Sequence, residues 1–140
     1  MADDPSSVIR RRFEALLDRR FQETVTGVLF EAADKVRAEA FRSISAGSVS
    51  GKNHQPSKPG TPPNRDSGNL QAQMQVTMPD PNVARVTSGA GYSAVHEFGS
   101  STHPARPFLR PARDRVRPQA ERILNQKLNA LKRNYRNGQV

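Results

Sequence analysis

A chain of 140 residues with 34% hydrophobic side chains holds one domain with a small core. It has no Cys, which excludes disulfides and Cys-based zinc sites. Lys and Arg number 22 against 13 Asp and Glu, for a formal net charge of +9.

The charge is unevenly spread. Residues 1–46 are balanced, with eight basic and eight acidic side chains. Residues 101–140 carry ten basic side chains against Asp114 and Glu121, net +8. A basic third of this kind suits a polyanion or an acidic protein partner, and it equally suits a solvated helix face. No apolar run approaches the ~18 residues of a membrane span. Residues 1–20 lack the apolar centre of a signal peptide. A soluble protein made in the cytoplasm, with no membrane contact, is the expectation.

The first predicted element is a long helix over 6–45. Asp3 and Asp4 followed by Pro5 form a start signal. Ile9, Phe13, Leu17, Phe21, Val25, Val28, Ala32, Val36 and Ala40 recur in steps of three or four and define one stripe, widened by Leu16, Leu29 and Ile44. At 1.5 Å per residue the helix spans roughly 60 Å, more than a chain this short can cover with its own core. Part of the stripe is expected to pack on another subunit. Gly27, in mid-helix, marks a bend or a close contact.

Residues 46–69 hold four Gly and four Pro and almost no apolar side chains. They form a loop longer than the usual ~12–15 residues, either functional or a floppy connection, and mobile in the free protein. Residues 70–78 (LQAQMQVTM) alternate strictly and predict a half-buried strand. A turn at Pro79–Asn82 leads to a second strand over 83–87. A third is expected over 92–98, with Tyr92, Ala94, His96 and Phe98 on one face. An extended arm over 99–107 follows. A last helix over 108–135 has the stripe Val116, Ala120, Ile123, Leu124, Leu128, Leu131 and Tyr135. Pro118 is expected to kink or split it. Arg113, Arg117, Lys127, Lys132 and Arg133 fall on its other face. The fold class is α+β: a small antiparallel sheet packed by two helices.

Catalytic signatures are missing. His96-Glu97 begins like a zinc-protease HExxH motif, but Ser100 stands where the second His belongs. His96 and His103 without a placed carboxylate make poor zinc ligands. Glu97 has no second carboxylate nearby for acid–base work. There is no nucleophile elbow and no phosphate-binding glycine loop. The expectation is a protein without enzyme activity, cofactor or metal. A basic nucleic-acid binder is a weaker alternative, since no recognised DNA- or RNA-binding motif is present and only Phe108 and Tyr135 are aromatic in the basic third.

Two linked segments carry a family likeness: YSAVHEFG over 92–99 and RPFLRPA over 106–112. With the loop element running from Pro62 to Gly68 and Leu70, they resemble the tail-completion, or head–tail joining, family of long-tailed phages. The order and spacing match over about residues 8–135. Mild departures are Ser67 for the usual Thr, Ser93 beside Ala94, and Ser100 after Gly99 in place of Thr.

The resemblance implies a structural virion protein of the neck, assembled in the host cytoplasm. Such proteins form a ring with themselves, usually a hexamer. The ring terminates the tail tube and meets the head-side stopper and adaptor proteins, while genomic DNA passes through it. A sister role as stopper or adaptor is the alternative. The motif residues are Gly68, Leu70, Tyr92, Glu97, Phe98, Gly99, Arg106, Pro107, Phe108, Leu109, Arg110 and Pro111. Core packing is expected of Tyr92, Phe98, Phe108 and Leu109, and a backbone turn of Gly99. Arg106 and Arg110 are expected to bind carboxylates, Glu97 among them, and to lock the arm. Arg113, Arg117, Lys132 and Arg133 are the candidates for facing DNA or a partner.

Overall fold

The computed structural model describes residues 4–45 and 51–139. The expected start at Asp3 and the loop residues 46–50 lie outside them. In chain order the elements are α1 (Pro5–Ser45), a single 3-10 turn (Gly51–Asn53), α2 (Asn69–Ala72), β1 (Met74–Asp80), β2 (Val83–Ser88), α3 (Ser93–Phe98) and α4 (Leu109–Arg136). This is an α+β fold: a long helix, a two-stranded antiparallel sheet and a C-terminal helix packed against them.

Helix α1 starts as its sequence suggests. Pro5 takes the first helical position, where a missing N–H costs nothing. The Asp4 carbonyl accepts from the N–H groups of Ser7 and Val8, and the Ser6 hydroxyl donates to the Asp4 carboxylate. At the other end the last carbonyls find partners outside the helix. Arg65 N–H donates to Ile44 O at 3.0 Å, and the buried Gln71 amide donates to Phe41 O at 3.0 Å. Helix ends need such partners, because the last four carbonyls have none within the helix.

The core is gathered on the C-terminal half of α1. Val36, Ala40 and Ile44 pack with Leu70, Met74, Ala90, Phe108 and Ala112, and Val86, Leu109 and Val116 close the edges. Phe108 is the largest fully buried side chain. Its burial alone is worth about 1.5–3 kcal/mol. Val28 is the first buried residue of α1. The stretch before it is covered only in part, by α4, which runs antiparallel along α1. Phe13 stacks on Tyr135 at 5.2 Å, Lys127 approaches Glu31 at 3.9 Å, and Arg115 pairs with Glu39 at 2.9 Å. The Arg115 hydrogen bond holds the Glu39 carboxyl below its ordinary pKa. The expected stripe is therefore buried at Val28, Val36 and Ala40, while Ile9 stays 68% exposed and Phe21 48% exposed. Helix α4 carries Pro118 inside one continuous helix, so the chain is not split there.

The sheet is smaller than the alternation of polar and apolar residues suggests. Met74 pairs with Ser88, Val76 with Val86 and Asp80 with Val83, with an irregularity between Thr77 and Asp80 where Pro79 has no N–H to give. The hairpin tip is tied to α1: Gln22 donates to Asn82 Oδ1 and Thr26 to Pro81 O, both at 2.8 Å.

Two expected strand segments are helical. Residues 69–72 form one helical turn with Leu70 and Gln71 both buried. Adjacent buried residues do not suit a strand with one wet face, and the positive φ of Gly68 (+83°) turns the chain into the helix. Residues 93–98 are α3, not a third strand. Ser93 N–H and Oγ both donate to Ala90 O, at 3.0 and 2.6 Å, and start the turn. Gly99 ends it with φ +76°.

Candidate functional site

The family-like segments converge around α3. Its two sides open on two concavities. On one side lies an apolar groove of about 630 Å3, walled by Leu29 and Val36 of α1, Val86 of β2, Phe98 of α3 and Leu109 of α4. On the other lies a polar cleft of about 380 Å3 between α3, the loop and the arm.

Glu97 holds the assembly together from between them. Its carboxylate accepts hydrogen bonds from the backbone N–H groups of Phe108 and Leu109, both at 3.0 Å, and of Arg110, at 2.9 Å. These are orphan donors at the start of α4, where the helix dipole also favours a negative charge. The expectation that Glu97 binds an arginine of the arm is thus corrected: it caps the helix backbone. No side chain near Phe108 in sequence caps α4, so the cap comes from a residue a dozen positions upstream.

The arm turns back on itself after Gly99. A Cβ at Gly99 would stand 2.9 Å from Ala105 N and 3.1 Å from His103 O, so space and the positive φ both demand glycine. Arg106 N–H donates to His96 O at 2.6 Å, and its Nε donates to Ser57 O at 3.0 Å. Gly60 N–H donates to Ala105 O at 2.8 Å. Arg106 therefore fastens the arm through carbonyls of α3 and the loop, at His96 and Ser57, instead of a carboxylate. Arg110 is exposed and sits at the groove rim. Pro107, just before α4, and Pro111, in its first turn, are both partly buried.

The aromatic expectations divide. Phe108 is fully buried, and Leu109 packs at the core edge. Phe98 is 82% exposed and Tyr92 42% exposed, so neither is a core residue in this chain. Glu97 has to point at α4, and a helical turn then places Phe98, its neighbour, on the outer rim. Tyr92 instead stands edge-on to His96 at 5.5 Å and receives a long hydrogen bond from Asn69. Gly68 and Leu70 meet the same cleft, with the Arg65 guanidinium 3.2 Å from where a Gly68 Cβ would be. Arg113, Arg117, Lys132 and Arg133 are all exposed; the first two pair with Asp114 and Glu121.

What the sequence hid is the meeting of the three histidines, which all line the polar cleft. Among the described residues no group of three or more His, Asp or Glu is placed to hold a metal ion, and no helix is long and apolar enough to cross a membrane. No protein-family model matches this chain, and no curated protein or solved structure does.

Proposed function

We propose that this chain is a structural protomer of a phage neck, forming a ring that ends the tail tube and joins it to the head-side connector proteins. One observation carries the reading beyond the motif resemblance: the fold leaves its apolar surface unfinished. Phe98 stands 82% exposed on the rim of an apolar groove, and α1 continues more than twenty residues before its first buried side chain, with Ile9, Leu16 and Phe21 bare. Large apolar side chains left exposed, one of them on the rim of an apolar groove, mark candidate surfaces for protein–protein contact. A ring protomer closes them on its neighbours, because a head-to-tail contact repeats until the ring completes. The basic, exposed Arg113, Arg117, Lys132 and Arg133 then face the DNA channel or an acidic ring above or below.

The test is made in particles. A phage lacking the chain should yield filled heads beside unfinished tails, and a virion map should place six copies at the neck. Density elsewhere in the virion, or normal tails without the chain, overturns the reading. Heads that leak their DNA point instead to the stopper role. Phe98→Asp should leave thermal stability within about 0.5 kcal/mol of wild type, since an exposed side chain has few contacts to lose, yet abolish ring formation in mass photometry. A ring unaffected by that charge removes the groove rim from the interface.

A further inference from the structure

The polar cleft brings together residues far apart in sequence. His54 follows the 3-10 turn, His96 lies on α3 and His103 lies in the arm, and all three line the cleft with Arg106 and Arg65. Among the described residues Asp66 is the one carboxylate of the lining, and its Oδ1 accepts from Gly51 N–H at 3.1 Å. Tyr92 supplies a phenol, and Ile44 and Leu70 form the apolar floor. Among the described lining residues the charged groups are Arg65 and Arg106 against Asp66, with three imidazoles, a phenol and several amide and hydroxyl donors beside them.

We propose that this cleft binds a phosphate-class oxyanion between the Arg106 guanidinium and the imidazoles of His96 and His103. Two observations support it. Arg106 is fixed in place: its backbone N–H and its Nε are held by His96 O and Ser57 O, so the guanidinium is preorganised on the cleft wall. A fork of N–H donors so placed suits an oxyanion. His103 Nδ1 is engaged with Thr102 Oγ1 at 2.9 Å, which leaves Nε2 as its second polar atom.

The electrostatics agree. Burial first, then the positive charge of Arg106 and the neighbouring His103, hold the pKa of His96 below its ordinary value. An anion in the cleft offsets both charges. Anion binding and protonation of His96 therefore reinforce each other, and by linkage each strengthens the other equally.

The probe is sulfate, which stays a dianion through the neutral range, titrated at constant ionic strength against chloride. The imidazole C–H signals are followed by NMR. The expected result is a saturable shift of His96 and His103, a rise in the apparent pKa of His96 at saturation, and tighter binding as pH falls, about tenfold for each unit of that rise. Arg106→Gln should weaken sulfate binding by roughly tenfold or more. Because that change also loosens the loop, His103→Gln serves as the second variant: the side chain is exposed, the fold should persist, and binding should weaken. A dinucleoside monophosphate forms the other arm. Binding of sulfate alone assigns the site to a free inorganic anion, and binding of both assigns it to nucleic-acid phosphate. A shift that grows linearly without saturating, or a saturable one that neither substitution weakens, overturns the site.

Discussion

Removing the Glu97 carboxylate should unfasten the start of α4. Three backbone N–H groups converge on it at 2.9–3.0 Å, two of them partly buried and one exposed. Replacing a helix-capping acceptor by Ala costs about 1 kcal/mol and up to 2. The loss of a negative charge at a partly buried helix start adds up to about 2 kcal/mol. The two effects overlap, so Glu97→Ala is expected to cost roughly 1–3 kcal/mol. For a domain of this size each kcal/mol lowers Tm by about 3–5 °C, which places the drop near 3–15 °C. Glu97→Gln should fall between, because one oxygen still accepts while the new NH2 meets donors and the charge is gone.

Circular dichroism during heating, with urea unfolding for the free energy, measures both variants. Glu121→Ala is the control: its carboxylate pairs with Arg117 at the surface, both side chains largely exposed, and such pairs contribute little. The same shift in Glu97→Ala and Glu121→Ala would refute the capping role. So would a Glu97→Gln variant as destabilised as the Ala variant, since that would leave the retained acceptor without effect.

Gly99→Ala should cost roughly 2–3 kcal/mol in urea unfolding, because the positive φ strains any side chain and the added Cβ would sit 2.9 Å from Ala105 N; a neutral effect would mean that the arm shifts freely. Arg106→Ala should cost about 1–3 kcal/mol through its partly buried bond to Ser57 O, whereas Arg113→Ala, Arg117→Ala, Lys132→Ala and Arg133→Ala should each stay within about 0.5 kcal/mol and lower phage titre when their charges are reversed together. Stability that tracks the distal set instead reverses these roles. The lowered pKa of His96 means that the folded state prefers the neutral imidazole. Its contribution is present above the unfolded value of about 6.5 and is lost as pH falls through the lower folded value. Unfolding free energy in an anion-poor buffer should therefore decline as pH drops through that window, and His96→Gln should flatten the decline; an unchanged slope in the variant assigns it to other groups.

How much of this was readable from sequence depends on where the controlling contact lies. Helix α1 was legible because its start signal and its stripe are local, and the same stripe announced that part of it would stay uncovered. The hairpin was legible because Met74, Val76 and Met78 do alternate, and Pro81-Asn82 turns the chain. Leu70 and Ala72 continue that alternation on paper, but Gln71 is needed by the C-terminus of α1, so the turn before β1 winds into a helix to bury both neighbours.

Residues 92–98 show why alternation over a short run does not decide between strand and helix. Spacing by two also contains spacing by four: Tyr92 with His96 and Ala94 with Phe98 share a face in either form. The choice falls to the ends, where Ser93 turns back on Ala90 O and Gly99 takes a positive φ. It falls also to Glu97, whose partners start eleven residues later at Phe108. Once Glu97 caps α4, the rest of α3 is placed without further choice. His96 turns to the polar cleft, toward His103 and Arg106, and Phe98 is left on the rim of the groove. One carboxylate thus sets both the groove and the cleft. A change at Glu97 should disturb the groove and the cleft together, whereas changes at Phe98 or His103 should disturb one and spare the other.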